Sequence, residues 1–188
     1  MFLAHRIRLV PNARQEMYFV QACGVSRFAY NWGLVEWRRR YVSGNRPSEW
    51  DIRKTLNGVK DTQFPWMRVV AKNVPQEAIR SLGRAYTNFF HDVSKYQHGE
   101  LDWRRVRVPK FRKKGRRDVF RADNGPKSRH VDAVQTDGKR VKLPFIGWVA
   151  MREQVRFSGR ILSVTVSREA DVWFASFCVC VPHERVIR

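Results

Sequence analysis

The stretch Ile161-Leu-Ser-Val-Thr-Val-Ser-Arg-Glu-Ala-Asp-Val-Trp-Phe-Ala-Ser-Phe-Cys-Val-Cys-Val181 decides the fold of this chain. Apolar and polar residues alternate on both sides of Glu169-Ala-Asp171, which predicts two antiparallel strands, over 161–167 and 173–181, joined by a tight turn. The alternation places the two cysteines of the second strand on the face opposite its larger apolar side chains. The carboxyl-terminal part of the chain is therefore predicted to be a β-sheet.

Shorter alternating runs precede this hairpin. They predict strands over 140–143 and 149–155, and another over 105–108, where valines alternate with arginines. The chain also opens on an alternating run over 4–10, which Pro11 ends. These runs add further strands to the predicted sheet.

Helical patterns lie between the opening strand and the later strands. Asn12 and Gln15 have the spacing of a capping box, and Gly24 is predicted to end the short helix that they begin. A second helix is predicted over 25–40, because apolar residues recur there at helical spacing. A weaker pattern predicts a short helix over 50–56.

The clearest helical pattern extends over 73–96, with Asn73 as its cap and Pro75 in the first turn. Its opposite face carries a ladder of polar residues that suits either a solvated surface or a nucleic-acid backbone. The aromatic residues on the apolar faces of these helices are predicted to lie in the core: Phe28, Trp32, Phe89 and Phe90.

The order of the elements is strand, helices, then several strands. This order predicts an α+β fold in which a small β-barrel, formed by residues 1–11 and 99–188, is interrupted by a helical insertion over 12–98.

The charge of the chain points to a polyanionic partner. Its 188 residues include 37 Lys and Arg against 17 Asp and Glu, for a formal net charge of +20. The positive charge is concentrated over residues 103–117, and nucleic acid is the expected partner. A hydrophobic content of 43% is ample for a packed core, so the composition excludes a disordered basic tail.

Several classes of protein do not fit the sequence. Three cysteines without a secreted-type framework indicate a reducing, cytoplasmic compartment, and arginines interrupt the apolar run at the amino terminus, so neither a signal peptide nor a membrane span is expected. Cys178 and Cys180 lack a second cysteine pair, and the histidines lack ligand spacing, so no zinc site is expected. The acidic residues are scattered and no nucleotide-binding or acyl-transfer motif occurs, so we expect no catalytic site.

Several motifs follow one another in a fixed order. They include Cys23-Gly-Val-Ser-Arg-Phe-Ala-Tyr-Asn31 and Pro109-Lys-Phe-Arg-Lys-Lys114, together with shorter runs at 8–12, 64–67, 75–78, 85–90, 141–144, 147–149, 159–167 and 173–177. In this order and spacing they resemble the amino-terminal half of TnpB, a family of transposon-encoded, RNA-guided DNA endonucleases related to compact type V CRISPR effectors. The resemblance covers nearly the whole chain.

This resemblance implies an architecture and two partners. The barrel would be the family's oligonucleotide-binding-like wedge domain, which holds a structured guide RNA, and the helical insertion would be its recognition lobe. Residues near the start of the long helix would read a short transposon-adjacent motif in double-stranded DNA, and Lys72 and Gln76 match those reader positions. Gln can pair with adenine and Lys can donate to guanine or phosphate. The alternative stays open: Gln76 is then an ordinary residue of the first helical turn, and Lys72 is a solvated charge.

Other basic residues are candidates for nucleic-acid contact. RNA-phosphate contact is the favoured interpretation of the basic residues between 104 and 114, against a solvated loop. For Trp103 and Phe111, core packing is favoured over base stacking. The complete set of candidate nucleic-acid-binding residues is Lys72, Gln76, Arg80, Arg84, Arg104, Arg105, Arg107, Lys110, Arg112, Lys113 and Lys114.

The resemblance also implies a RuvC-type nuclease domain after the last predicted strand, with catalytic acids, divalent metal and a zinc ribbon. These have no counterpart in the 188 residues, so we expect no cofactor and no intrinsic cleavage in this chain. A gene fragment, one half of a split system with a separate nuclease chain, and a natural remnant all fit. Two other functions stay open: a transposase-associated helix-turn-helix protein that binds DNA without guide RNA, and a general basic RNA-binding protein.

Overall fold

The computed structural model describes residues 1–116, 118–124 and 132–182. Arg117 of the basic stretch and residues 183–188 of the predicted barrel lie outside the described residues. The described chain forms three α-helices and seven β-strands, with 3-10 turns at Pro65–Val69 and Trp103–Arg105. In chain order the elements are β1 Phe2–Val10, α1 Ala13–Val42, α2 Glu49–Gln63, α3 Asn73–Gln97, β2 Val119–Asp123, β3 Gln135–Asp137, β4 Arg140–Leu143, β5 Gly147–Met151, β6 Arg160–Glu169 and β7 Val172–Cys180.

The strands of the described chain form one antiparallel sheet in the order β2-β6-β7-β1-β5-β4-β3. The β6–β7 hairpin is confirmed, with Glu169 paired to Val172 across a two-residue loop. Both loop residues have positive φ, 43° at Ala170 and 63° at Asp171, which matches the twist of the flanking strands. The predicted α+β class is confirmed.

Strand β1 changes partner along its length and so joins two parts of the sheet. Residues from Phe2 to Arg8 pair with β7, whereas Leu9 and Val10 pair with β5. The sheet of the described residues is open, with β2 and β3 at its edges.

The side chain of Asn124 connects the two edges. The Asn124 Nδ2 atom donates to the carbonyl oxygens of Val134, at 2.9 Å, and Ile161, at 2.8 Å. Its Oδ1 atom accepts from the Val134 N–H at 2.6 Å. Since Val134 directly precedes β3, these bonds bring the start of β3 close to the end of β2.

Helix α1 packs against both the sheet and the other helices. Near its amino end, the buried Phe19 ring lies 5.1 Å from the Trp173 ring and 5.6 Å from the Phe120 ring. Near its middle it approaches α3 so closely that a Cβ atom at Gly33 would lie 2.6 Å from Ile79 Cδ1. The core is therefore continuous from the sheet to the helices.

The prediction that Gly24 ends a helix was wrong, because α1 runs unbroken through it. The capping box of Asn12 and Gln15 is confirmed. A glycine inside a helix costs about 1 kcal/mol relative to alanine. Burial of Cys23 and Val25 on either side outweighs that cost, so helical periodicity continues across the glycine.

Helix α2 is longer than the short helix predicted over 50–56. It begins at a capping box that had not been predicted. The Ser48 hydroxyl accepts from the Asp51 N–H, and the Asp51 carboxylate accepts from the Ser48 N–H. Its buried side, with Ile52 and Leu56, packs against α1 and α3.

The long helix α3 confirms the pattern over 73–96. The prediction that Asn73 caps this helix was wrong, because Asn73 is its first helical residue. Lys72 occupies the cap position, and its side chain makes no capping hydrogen bond. Pro75 lies in the first turn, as predicted.

The predicted strand over 105–108 is absent from the described structure. Trp103–Arg105 is a 3-10 turn, and the residues after it lie along α1 and pair with no strand. The strand predicted over 149–155 ends earlier, at Met151. Strands β2 and β3, five and three residues long, had not been predicted.

Three aromatic residues predicted to be buried are exposed. Trp103 is 56% exposed, Phe111 50% and Phe90 41%, so the core assignment of these residues was wrong. Phe28, Trp32 and Phe89 pack partly buried against the core, as predicted. The reason is local: Trp103 and Phe111 lie in segments without a covering element, and Phe90 lies near the open end of the α1–α3 pair.

Candidate nucleic-acid interface

A groove of about 680 Å³ lies between the start of α3 and the β4–β5 turn; we call it the α3 groove. Val70, Ala71 and Pro75 give it an apolar wall, and Pro144 and Phe145 of the β4–β5 turn form the opposite wall. Phe145 has a positive φ of 71° and is 72% exposed, so the turn presents its ring to solvent.

The hydroxyl of Tyr18 ties the two walls together. It accepts a hydrogen bond from the Ala71 N–H at 3.2 Å and donates to the carbonyl oxygen of Pro144 at 3.4 Å. Burial raises the pKa of Tyr18, so the hydroxyl keeps the proton that it donates. One residue of α1 therefore positions both sides of the groove.

Lys72 and Gln76 both line the α3 groove. They are four residues apart at the start of α3, so they share one face of the helix. Lys72 is exposed and Gln76 is partly exposed. The structure thus brings together an ammonium donor, an amide that can donate and accept, and an apolar wall, a combination suited to the edges of bases.

Arg80 lies one turn further along α3, where carboxylates hold it. Its guanidinium bonds to the buried carboxylate of Glu77 and, at 3.0 Å, to Asp123 of β2. Desolvation opposes the charge, but the hydrogen bond with Glu77 and the two carboxylates outweigh it and raise the pKa of Arg80. Arg84 is exposed and has no ion-pair partner among the described residues. Nucleic-acid contact by either arginine stays a prediction.

Residues 106–116, which we call the basic segment, run antiparallel to α1 and are fixed to it. The Arg38 guanidinium donates to the carbonyl oxygen of Pro109 at 2.9 Å. Asn31 donates from Nδ2 to the Arg112 carbonyl oxygen at 3.0 Å and accepts from the Arg112 N–H at 2.8 Å. The spacing is consistent, because Asn31 and Arg38 lie about 10 Å apart along the helix and Pro109 and Arg112 span about 10 Å of extended chain.

The end of the basic segment is held by an ion pair. Arg27 of α1 meets Asp118 at 3.1 Å, and both side chains are about four-fifths buried. The Gly115 N–H also donates to this carboxylate, at 3.4 Å. The segment is therefore an ordered strap on α1.

The candidate residues of the basic segment divide into two groups. Arg112 faces the protein: its guanidinium lies 3.8 Å from the centre of the Tyr30 ring and donates to Ser81 at 2.8 Å. The others are exposed to solvent, as are the two arginines of the preceding 3-10 turn. The exposed candidates are Arg104, Arg105, Arg107, Lys110, Lys113 and Lys114.

Sequence reasoning missed the residues that position these surfaces. Asn31 belongs to the motif Cys23–Asn31, but nothing in that motif indicates its bonds to Arg112, 81 residues away. Tyr18 carried no signal at all.

Among residues 1–116, 118–124 and 132–182, no group of three or more His, Cys, Asp and Glu is placed to hold a metal ion. Within that same part of the chain, no helix combines the length and the apolar character needed to cross a membrane.

Comparisons with known proteins agree with the resemblance. Residues 1–46 match the family HTH_OrfB_IS605, described as a helix-turn-helix domain. The chain is 26% identical to "Putative RNA-guided DNA endonuclease InsQ" of Escherichia coli, over 92% of this chain and 39% of that protein. It is 28% identical to "Putative RNA-guided DNA endonuclease Rv2885c" of Mycobacterium tuberculosis, over 97% of this chain and 43% of that protein.

These matches confirm the resemblance to the TnpB family over most of the chain. The chain spans about two fifths of the length of these relatives. The region that matches the helix-turn-helix family contains β1 and the single uninterrupted helix α1.

Proposed function

We propose that this chain is the nucleic-acid-binding amino-terminal portion of a TnpB-like, RNA-guided DNA endonuclease. In this role it holds a structured guide RNA and reads a short DNA motif beside the transposon. The observation that carries the proposal is the position of Lys72 and Gln76 on one helix face, in a groove with an apolar wall.

The α3 groove suits the edges of a DNA duplex. The Gln76 amide can make a paired hydrogen bond with adenine, and the Lys72 ammonium can donate to guanine or to phosphate. The exposed ring of Phe145 on the opposite wall offers apolar contact for a thymine methyl group. Base contacts of this kind carry sequence preference, whereas phosphate contacts carry most of the affinity.

The basic segment suits the phosphates of the RNA. Its exposed lysines and the arginines before it form a cationic track whose backbone is fixed to α1 before any partner binds. Prior ordering lowers the entropic cost of binding. We place this track in the wedge domain of residues 1–11 and 99–188, with the helices of 12–98 as the recognition lobe.

The bonds from Asn124 to Val134 support a wedge sheet that curves towards a barrel, because they join the edges of the open sheet. We assign cleavage, with its divalent metal and zinc, to the nuclease region of a TnpB-like protein, whether on this chain's continuation or on a separate partner chain. The 188 residues then contribute recognition only, in the cytoplasm.

The experiment that tests this function is purification of the chain from cells that carry its native flanking DNA. After a high-salt wash, the retained RNA is sequenced. One discrete RNA that ends near the element boundary is expected, and heterogeneous RNA would contradict the guide-binding role. The same complex is then used to select duplexes from a library randomised beside the target, and enrichment of one short motif is expected.

A second candidate function is DNA binding without RNA. The match of residues 1–46 to a helix-turn-helix family favours it. Against it, those residues provide one long helix whose middle is buried against α3, so the second helix of such a motif must come from elsewhere. Motif-specific binding of duplex DNA by RNase-treated protein would favour this candidate over the first.

A further inference from the structure

A second concave site lies away from the α3 groove, where the carboxyl end of α1 meets α3. This aromatic cleft has a volume of about 360 Å³ and is lined by Trp37, Tyr41, Arg46, Pro47 and Phe90. Phe90 follows Gln76 on α3 by about 21 Å along the helix axis. The cleft is therefore separate from the groove proposed to read DNA.

The rings at the cleft form a stack that runs from the core to solvent. Trp37 and Tyr86 are stacked, with centroids 4.3 Å apart and planes 8° apart. Phe90 continues the stack, 6.1 Å from Tyr86, and the Tyr41 ring lies at its edge, 6.0 Å from Phe90 and tilted by 35° to it. The inner rings are buried, whereas Tyr41 is 53% exposed and Phe90 41%.

Positive charge lies beside the open end of this stack. Arg46 lines the aromatic cleft and also an adjoining polar cleft that contains Arg39 and Arg40. Arg39 and Arg40 are paired with Glu36. In the described part of the chain, Arg46 has no hydrogen bond or ion pair and is exposed, so its guanidinium is open to an anion.

We propose that the aromatic cleft binds one unpaired nucleotide of single-stranded nucleic acid. The base extends the stack at Tyr41 and Phe90, and Arg46 contacts the adjacent phosphate. Aromatic platforms flanked by cations bind single strands in this way, because every base has a π-face and every nucleotide a phosphate. A volume of about 360 Å³ falls in the range of small-molecule sites.

A duplex does not fit this site, because its bases are already stacked and paired. The charge of the chain favours a polyanionic occupant over an apolar peptide. This inference deepens the proposed function by adding a contact for the unpaired part of its RNA or DNA, and it rests on that function only for its biological setting.

The test is a titration of the full chain into short single-stranded oligonucleotides that contain 2-aminopurine, whose fluorescence falls when the base stacks on an aromatic ring. Tyr41→Ala is expected to lower affinity about tenfold and to reduce the quenching, with no change in the dependence on salt. Tyr41→Phe keeps the ring and should bind as the parent chain does.

Arg46→Ala separates the phosphate contact from the stacking contact. It should lower affinity and also reduce the slope of log affinity against log salt by about 1. The matched control is Val42→Ala, which removes an apolar side chain that is 87% exposed and does not line the cleft. Circular dichroism of each variant checks that the fold is retained.

Unchanged affinity and quenching in a folded Tyr41→Ala chain would overturn the proposal, as would equal competition by a duplex of the same sequence. RNA and DNA oligonucleotides are titrated separately, and the tighter of the two identifies the source of the nucleotide. Retention of a discrete guide RNA is measured independently, so failure of the cleft and failure of the proposed function give different results.

Discussion

Asn31 of α1 pairs with the backbone of Arg112 at both of its polar atoms, through hydrogen bonds of 3.0 and 2.8 Å. The amide takes the place of a neighbouring strand, since it satisfies one N–H and one C=O of an extended segment that pairs with none of the described strands. The basic segment is held on a helix by this substitute for a sheet.

Replacement of Asn31 by Ala should release the basic segment. Two backbone groups lose their partners, so we expect a loss of about 1–3 kcal/mol in the free energy of unfolding and faster proteolysis within residues 106–116. Thermal melting and limited proteolysis measure the two effects. Asn88→Ala, an exposed amide on α3, is the matched control and should change neither. Unaltered cleavage in the Asn31 variant would contradict the anchoring role.

Replacement of Lys113 and Lys114 by Ala should weaken RNA binding without loss of stability. Both ammonium groups are exposed, and each phosphate contact removed lowers the salt slope of binding by about 1, so a reduction of about 1 to 2 is expected. Filter binding at several salt concentrations gives the slope. The paired control is Lys139→Ala with Lys142→Ala, on the sheet side of the molecule. A slope equal to that of the parent chain would rule out phosphate contact by these two lysines.

Replacement of Gln76 by Ala should relax preference at one position of the DNA motif. The expected loss is about 1–3 kcal/mol of discrimination at that position, with RNA affinity nearly unchanged, because the amide reads a base edge and carries no charge. Duplex selection with the parent and variant complexes measures it. Gln63→Ala, at the exposed end of α2, is the control. Equal weakening on every sequence would make Gln76 a structural residue.

The stability of the α1 carboxyl end should depend on pH in the acid range. Hydrogen bonds from Arg39, opposed by desolvation and helped by Arg40, lower the pKa of Glu36 to about 2. A lowered pKa in the folded state stabilises the fold above the ordinary value of 4.5. That stability is lost as the pH falls towards 2. Glu36→Gln should therefore flatten the acid limb of a melting curve, by about 1 kcal/mol. An acid limb identical in both chains would contradict this assignment.

Cys23 should be inert to thiol reagents in the folded chain. Burial, together with the charge of Asp118, raises its pKa to about 12, against the opposing effect of Arg27 and Arg168. At pH 8 a thiol reagent should modify Cys178 and Cys180, which are partly exposed, and reach Cys23 only after unfolding. The unfolded thiol ionises above pH 9, so alkaline conditions favour unfolding. Cys23→Ala should leave the native labelling stoichiometry unchanged.

The strands that alternate over most of their length could be predicted from the sequence. β7 buries every second side chain, and β6 does so except at the register shift, where Ser163 and Val164 are both buried. This period is visible in the residues themselves. The same alternation over 105–108 gave a wrong prediction of a strand, because those residues belong to the turn at Trp103–Arg105 and to the basic segment on α1. Gly24 misled for the opposite reason: packing on both sides of the residue overrode its weak helix propensity.

The candidate site, too, could be predicted only in part from the sequence. Lys72 and Gln76 could be placed together because their separation of four residues already puts them on one helix face. The hydrogen bonds that position the two walls of the groove could not be predicted. They join the Tyr18 hydroxyl to Ala71, 53 residues away, and to Pro144, 126 residues away. Exposure of Phe90 depends on where α1 ends relative to α3, which local periodicity does not encode.

The unbroken length of α1 also has a geometric consequence. Tyr18 supports the α3 groove and Tyr41 forms the rim of the aromatic cleft, and one rigid helix without a hinge holds them about 35 Å apart. An unbroken helix of this kind fixes the distance between the two sites. It sets a constant interval between the duplex motif proposed for the groove and the unpaired nucleotide proposed for the cleft, so the register of one fixes the position of the other.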